Sequence, residues 1–233
     1  VIGQQFFPST NPTASLIGAF GAFAAGFIVR PLGGIVYGRI GDLVGRRRAL
    51  SLSVIAMAIP TVAMAFLPTH AQIGIAAPIA VVLLRLLQGV SAGGEYTTSI
   101  IFLAEAAPDR QRGFYSIWGL WGSVLGMLMG SAFGDLLTRT LTQPQLDAWG
   151  WRVAFALGSL VALTGVMIRQ GVGEDDASAK TNTPLASTLG VHRPAFLRVL
   201  ALNIASSVGF YEVYVYLVTY IEVVDGINDS MAL

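Results

Sequence analysis

The sequence predicts an all-α membrane protein crossing the bilayer about six times. Three observations carry this. Of 233 residues, 54% are hydrophobic and only 12% charged, where soluble domains carry about 25% charge. The apolar residues come in runs long enough to cross a hydrocarbon core of about 30 Å at about 1.5 Å per residue. The charges collect in short segments between those runs, most compactly in Gly38–Arg48, which reads G-R-I-G-D-L-V-G-R-R-R.

Each element follows in chain order. Val1–Thr13 holds Phe6-Phe7-Pro8 and then Ser9-Thr10-Asn11-Pro12, the tail of an earlier span followed by an outside loop. The chain starts at Val1 with no charged leader, so it reads as a piece of a longer protein and not as a signal peptide. The first span is about Ser15–Tyr37. Gly18, Ala22 and Gly26 recur every four residues, a small-residue face for close helix packing. Arg30-Pro31 should bend it near its inner third, because proline lacks a backbone donor.

The second span, about Ala49–Leu67, is nearly featureless except for Pro60, and Pro68–Ala76 is a short outside loop. The third, about Pro78–Ala104, is the chemically dense one; Glu105–Gly113 follows inside. The fourth, about Phe114–Leu137, places Gly122, Gly126, Gly130 and Gly134 at four-residue intervals, a comb that signals close packing. Thr138–Gly150 lies outside. The fifth span, Trp151–Ile168, starts beside Trp149 and Trp151, rings that settle at membrane interfaces. Gln170–Arg193 is the longest polar segment, a cytoplasmic linker or loop, and a sixth span follows over about Ala195–Val224.

Loops that stay inside carry excess Lys and Arg. With Gly38–Arg48 inside, the inside segments hold Arg39, Arg46, Arg47, Arg48, Arg110, Arg112, Arg169, Lys180, Arg193 and Arg198, against Arg139 and Arg152 outside. Within the loop, Asp42 and Arg46 are four apart and would face each other on a continued helix, while Gly38, Gly41 and Gly45 permit a tight reversal. A plain positive-inside anchor needs the arginines but neither the aspartate nor the glycines; spacing leaves both readings open.

Three polar side chains fall inside the third span: Arg85, Gln88 and Glu95. Gln88 and Glu95, seven apart, share a face, and Arg85 lies on the same side of it. A charge at membrane depth costs about 2.5–3.5 kcal/mol on insertion scales, which points to a wet or paired setting. The alternative is structural, with Arg85 satisfying a backbone carbonyl and Glu95 a nearby cation. Arg30 lies close enough to the inner boundary to snorkel. The sixth span offers Asn203, Tyr211 and Glu212; burial of Glu212 would favour a protonated carboxyl able to load a proton, or else a carboxylate bonded to tyrosine.

Other chemistries are poorly supplied. With no cysteine there is no thiolate metal site, and His70 and His192 both fall in predicted loops. Gly89-Val90-Ser91-Ala92-Gly93 matches G-x-S-x-G, but that pattern needs a strand–turn–helix and a histidine partner. Basic residues form no stripe with interleaved aromatics, so nucleic-acid binding is unsupported. No metal, cofactor or enzymatic activity is expected.

The Gly38–Arg48 loop resembles the loop between the second and third helices of the major facilitator superfamily. Arg85-Leu86-Leu87-Gln88-Gly89 looks like its fourth-helix motif, and Glu105-Ala106-Ala107-Pro108 through Arg112-Gly113 is similar to its loop between helices four and five. More narrowly, Phe6-Phe7-Pro8, Arg30-Pro31-Leu32-Gly33 and Gly93-Gly94-Glu95-Tyr96 together resemble the metabolite:proton symporters, whose substrates include 2-oxoglutarate, citrate, shikimate, proline and betaine.

The resemblance implies an incomplete major facilitator bundle, from the end of helix one to helix seven: residues 1–169 would be the first helical bundle, 170–193 the cytoplasmic linker, and 194–233 helix seven at the start of a second bundle. It also implies a multi-pass protein of the bacterial inner membrane that is a monomer when full length. It implies proton-coupled symport of a small organic acid or zwitterion by alternating access. Arg85, Gln88, Glu95, Arg30, Asn203, Tyr211 and Glu212 would line the substrate and proton pathway. Gly38, Asp42, Gly45, Arg46, Glu105 and Arg112 would form the cytoplasmic gate. Leu43 stands where the loop pattern has a basic residue, and the fourth span lacks the Gly-Pro pair of exchangers, which favours symport. A transporter-like sensor that binds a metabolite without moving it is the alternative.

Overall fold

The computed structural model describes residues 1–170, 190 and 192–212. The chain falls into two units, Val1–Lys180 and Thr181–Leu233, and no described residue is in a strand.

The first unit is a stack of helices. A short α1, Ile2–Phe6, leads to α2, Pro12–Ile28, whose start is set by Asn11: its side-chain oxygen accepts from the Thr13 amide at 2.9 Å. Pro12 in the first turn loses nothing, since that N–H would have no helical partner. α3, Arg30–Val44, follows after Val29 alone, so the first predicted span is two helices meeting at Arg30-Pro31. Together they cover a stretch, Thr13–Val44, long and apolar enough to cross a membrane. α4, Arg46–Phe66, carries Pro60 in its interior.

α5, His70–Ile73, is one turn closed by a capping box in which the Thr69 and Gln72 side chains each satisfy the other residue's backbone N–H. Then come α6, Ala76–Ala106, and α7, Arg112–Thr140. A second such box, Thr142 with Gln145, closes α8, Gln143–Gln145; a π turn over Leu146–Gly150 hands on to α9, Trp151–Gln170. Among the described residues α4, α6 and α7 also meet the length and hydropathy of a membrane span. α6 extends through Ala106, so Glu105, expected in a loop, stands on the last turn of a helix.

α6 is the axis of the unit, touching α2, α3, α4 and α7, while α4 also packs on α9. Its contact with α2 and α3 is backbone against backbone. A Cβ on Gly26 would stand 2.9 Å from the Arg85 carbonyl oxygen. One on Gly33 would overlap the Val90 carbonyl, one on Gly89 that of Gly26, and one on Gly93 that of Arg30. Glycine allows this approach and the weak Cα–H···O contacts that accompany it.

The predicted glycine comb on α7 behaves differently. Gly119 lies against Ile100 and Leu103 of α6, but no described atom comes within 4 Å of a Cβ at Gly122, Gly126, Gly130 or Gly134. The expectation that the comb is the close-packing face is therefore corrected for the described residues. That role falls to glycines spread over three helices, whose shared face shows only in three dimensions.

At the end of the unit where α4 stops and α9 starts, Phe6, Ala22, Met64, Ala77, Val81 and Trp151 form a buried cluster. The Phe6 and Trp151 rings meet edge to face, with centroids 5.4 Å apart. Trp151 is 6% exposed, so it is a core side chain and not the interfacial anchor expected; Trp149 is the exposed one of the pair. Arg152 ties the same end together, donating to the Ala148 carbonyl at 2.7 Å and to the Leu67 carbonyl at 3.3 Å.

The second unit is described through one helix, α10, Arg193–Tyr211, with His192 at its N-cap and proline in its first turn. The rest of the predicted sixth span, and all but the ends of the predicted 170–193 linker, lie outside the described residues.

Candidate functional site

Two polar assemblies sit inside the helices of the first unit, and a third at their charged end. The deepest is built on Arg85, nine residues into α6 and so about 14 Å from the helix start. Its guanidinium Nη1 donates to Gln88 Oε1 at 3.1 Å, and Gln88 Nε2 donates to Thr61 Oγ1 of α4, also at 3.1 Å. The Thr61 hydroxyl donates to the Met57 carbonyl at 2.7 Å. The Arg85 guanidinium carbon lies 5.9 Å from the Phe23 ring of α2 and 5.7 Å from the Phe155 ring of α9, within cation–π range. Gln88 is 8% exposed, Arg85 half-buried. No described residue engages the other guanidinium N–H donors.

The second assembly is a groove of about 640 Å³ between α3, α6 and α7. Arg30, Glu95, Tyr96, Ser99, Trp118 and Ser123 bring to it one cation, one carboxylate, three hydroxyls and an indole. The open comb contributes here, since Gly122 keeps the wall low. Arg30 also stacks on Phe27 of α2, its guanidinium carbon 3.6 Å from the ring centroid. Gln88 and Glu95 follow one line along α6, as their spacing requires, yet have different neighbours: Gln88 meets α4, and Glu95 faces the groove beside α7.

At the charged end, Arg46 Nη2 pairs with Asp42 at 2.8 Å, Arg46 Nε approaches Glu105 at 3.5 Å, and Nη1 donates to the Gly38 carbonyl at 3.4 Å. The Asp42–Arg46 pair forms without a continuous helix. Gly45 breaks it at φ +98° and ψ +146°, a conformation that L side chains rarely adopt. Arg112, expected with this group, instead pairs with Asp109 at 2.7 Å, three residues away and exposed, because it opens α7 and Asp109 lies in the turn before it.

In the second unit, Asn203 donates to the Val199 carbonyl of its own helix at 3.0 Å, and Glu212 caps α10. Tyr211 is its last residue, with a side chain outside the described set. Ser91, of the G-x-S-x-G match, is buried within α6 with its hydroxyl bonded to the Leu87 carbonyl at 2.9 Å; the flanking Gly89 and Gly93 serve helix packing.

Sequence reading missed Thr61, Phe23 and Phe155. Thr61 had one local signal, a hydroxyl directly after Pro60 in an otherwise apolar span.

A bundle of membrane-length helices sealed by glycine and holding a hydrogen-bonded arginine in its interior defines the class: a polytopic helical membrane protein with a polar interior. Residues 4–233 match the family model of the Major Facilitator Superfamily, and the chain belongs to that superfamily. It is 36% identical over 230 residues to the Alpha-ketoglutarate permease of Escherichia coli K12, covering 97% of this chain and 53% of that protein. It is 34% identical over 236 residues to the glycine betaine/proline/ectoine/pipecolic acid transporter OusA of Dickeya dadantii, covering 94% and 47%. With the shikimate transporter of Escherichia coli K12 it shares 34% identity over 229 residues, covering 94% and 52%. The chain thus spans about half the length of these relatives. Among solved structures, the inward-open xylose transporter XylE from E. coli superposes with a TM-score of 0.67 at 19% identity, over 95% of this chain and 55% of that one, a likeness of fold. These relatives are named as transporters or a permease.

Proposed function

We propose that the full-length protein is a secondary active transporter that carries a small organic acid or zwitterion together with protons by alternating access. The observation that carries this reading is the Arg85 guanidinium, held inside the bundle by Gln88 with its other N–H donors not engaged by described residues. Guanidinium presents a planar fork that matches a carboxylate. The cargoes named for the relatives, α-ketoglutarate, shikimate, proline, betaine, ectoine and pipecolic acid, differ in size and charge but share a carboxylate. Arg85 is assigned to that carboxylate, with Gln88 beside it. Glu95, which shares the groove with Arg30, and Glu212 are the candidate proton sites, and Asn203 and Tyr211 are further candidate pathway residues.

Asp42, Arg46 and Glu105, with the Gly38 carbonyl inside α3 and the turn at Gly45, are assigned to the cytoplasmic gate; Arg112, paired with Asp109, is assigned to the same gate. The setting is a multi-pass protein of the bacterial inner membrane. Energetics permit accumulation: one charge moving down about 100 mV releases about 2.3 kcal/mol, enough for roughly 50-fold enrichment. A zwitterion entering with a proton would draw on that potential; a monoanion entering with a proton would draw on the pH gradient alone.

The test is uptake by the full-length protein in proteoliposomes of labelled 2-oxoglutarate, shikimate, proline and glycine betaine, with and without a protonophore. Arg85→Ala should abolish uptake while membrane insertion persists. Binding without proton-dependent uptake would instead identify a sensor, and undiminished uptake by Arg85→Ala would remove the assignment.

A further inference from the structure

We infer that Thr61 of α4 is a positioning residue for the substrate site: through the Gln88 amide it sets the pose of the Arg85 guanidinium. The inference rests on the reading that Arg85 binds the substrate carboxylate. Thr61 lies on another helix, and its place in the chain of bonds is dictated from both ends. Arg85 is a pure donor, so the amide of Gln88 must turn its oxygen toward Nη1, as it does at 3.1 Å. The amide nitrogen then points the other way and needs an acceptor. Thr61 Oγ1 is that acceptor at 3.1 Å, and it accepts because its single proton is committed to the Met57 carbonyl at 2.7 Å.

Local structure holds the hydroxyl in that role. A β-branched side chain in a helix has few rotamers, and threonine favours those that bond back to the preceding turn. Pro60, fully buried next to it, removes one backbone donor from the same turn of α4. The Gln88 side chain is nearly sealed from solvent, so no bulk water stands ready to replace the hydroxyl. Without Thr61 the amide loses its acceptor and its reason to keep oxygen toward Arg85. The guanidinium then rests between the Phe23 and Phe155 rings with no fixed rotation.

The test uses Thr61→Val, which keeps shape and deletes the hydroxyl, and Thr61→Ser, which keeps the hydroxyl, in the full-length protein. Uptake of labelled glycine betaine and 2-oxoglutarate, one zwitterion and one dianion, is measured with the amount of correctly inserted transporter quantified for each variant. Thr61→Val should raise KM about tenfold with Vmax per transporter within about twofold of wild type, and Thr61→Ser should restore KM to within about threefold. In a double-mutant cycle with Gln88→Leu, adding Thr61→Val should worsen KM no further, because both changes cut one chain. Three results would overturn the inference while leaving Arg85 in place: Thr61→Val with wild-type KM, Thr61→Ser as impaired as Thr61→Val, or additive effects of Thr61→Val and Gln88→Leu. Retained uptake by Arg85→Ala, or wild-type protein taking up neither compound, would remove the reading beneath it.

Discussion

Replacing Gly93 by alanine puts the glycine-mediated contact of α6 with α2 and α3 to a direct test. The added Cβ would stand 2.7 Å from the carbonyl carbon of Arg30 and 2.9 Å from its Cα. Carbon atoms pack at about 3.5–4.0 Å, so the two helices must part by about 1 Å. The atoms in the way are backbone of the first turn of α3, and no side chain can swing aside to relieve them. A gap of about 0.5–1 Å forfeits a quarter to a half of the dispersion energy along the contact, and overpacked sites lose about 1–3 kcal/mol. Alanine's better helix propensity returns up to about 1 kcal/mol. The net loss is about 1–2 kcal/mol. At about 2–4 °C per kcal/mol for units of 150–250 residues, melting should fall by about 2–8 °C. Gly21→Ala is the control: it lies inside α2 with nothing described within 4 Å of the new Cβ, so melting should hold steady or rise slightly. Thermal unfolding of the purified full-length protein in detergent reads both. Gly93→Ala melting within about 1 °C of wild type, or Gly21→Ala falling as far, would refute the packing argument.

Two further outcomes follow from the charged end. Gly45→Ala should destabilise by about 1–3 kcal/mol even though the site is open, because the strain is in a backbone at φ +98°; the same melting assay checks it, and an unchanged midpoint would contradict it. Asp42→Asn should cost more than Glu105→Gln. Asp42 meets Arg46 at 2.8 Å with side chains 24% and 14% exposed, whereas Glu105 is 48% exposed at 3.5 Å, and an exposed ion pair contributes about 0–1 kcal/mol. Raising salt should shrink any Glu105→Gln effect first, and equal losses for the two variants would count against the geometry.

Much of the fold was legible in the chain because it depends on local properties. Hydropathy marks spans, whereas the caps at Asn11, Thr69 and Thr142, all in segments read as loops, went unread. The Asp42–Arg46 pair needed only spacing, although the turn that joins them is not the continuous helix imagined. Arg85 and Glu95 stood out because a charge is rare in an apolar run, and Arg85–Gln88 are near neighbours on one helix. Trp151 shows the limit: its position beside a predicted interface suited an anchor, but its burial depends on Phe6, Met64 and Val81, which arrive from three other helices.

Sequence by itself determined the class of protein, where its first four spans run and the identity of the arginine that must be accommodated among them, since each follows from residues within a few turns of one another. Only the tertiary structure decided which glycines seal helices and which stand open, and which hydroxyl completes the Arg85 chain. The glycine pattern is equally regular on α7 and is unused there among the described residues, while Gly26, Gly33, Gly89 and Gly93 meet foreign backbone. Thr61 and Gln88 are separated by 27 positions and joined by one bond. Close packing and hydrogen bonding act over a few ångströms, and chain position says nothing about which distant residue will occupy them.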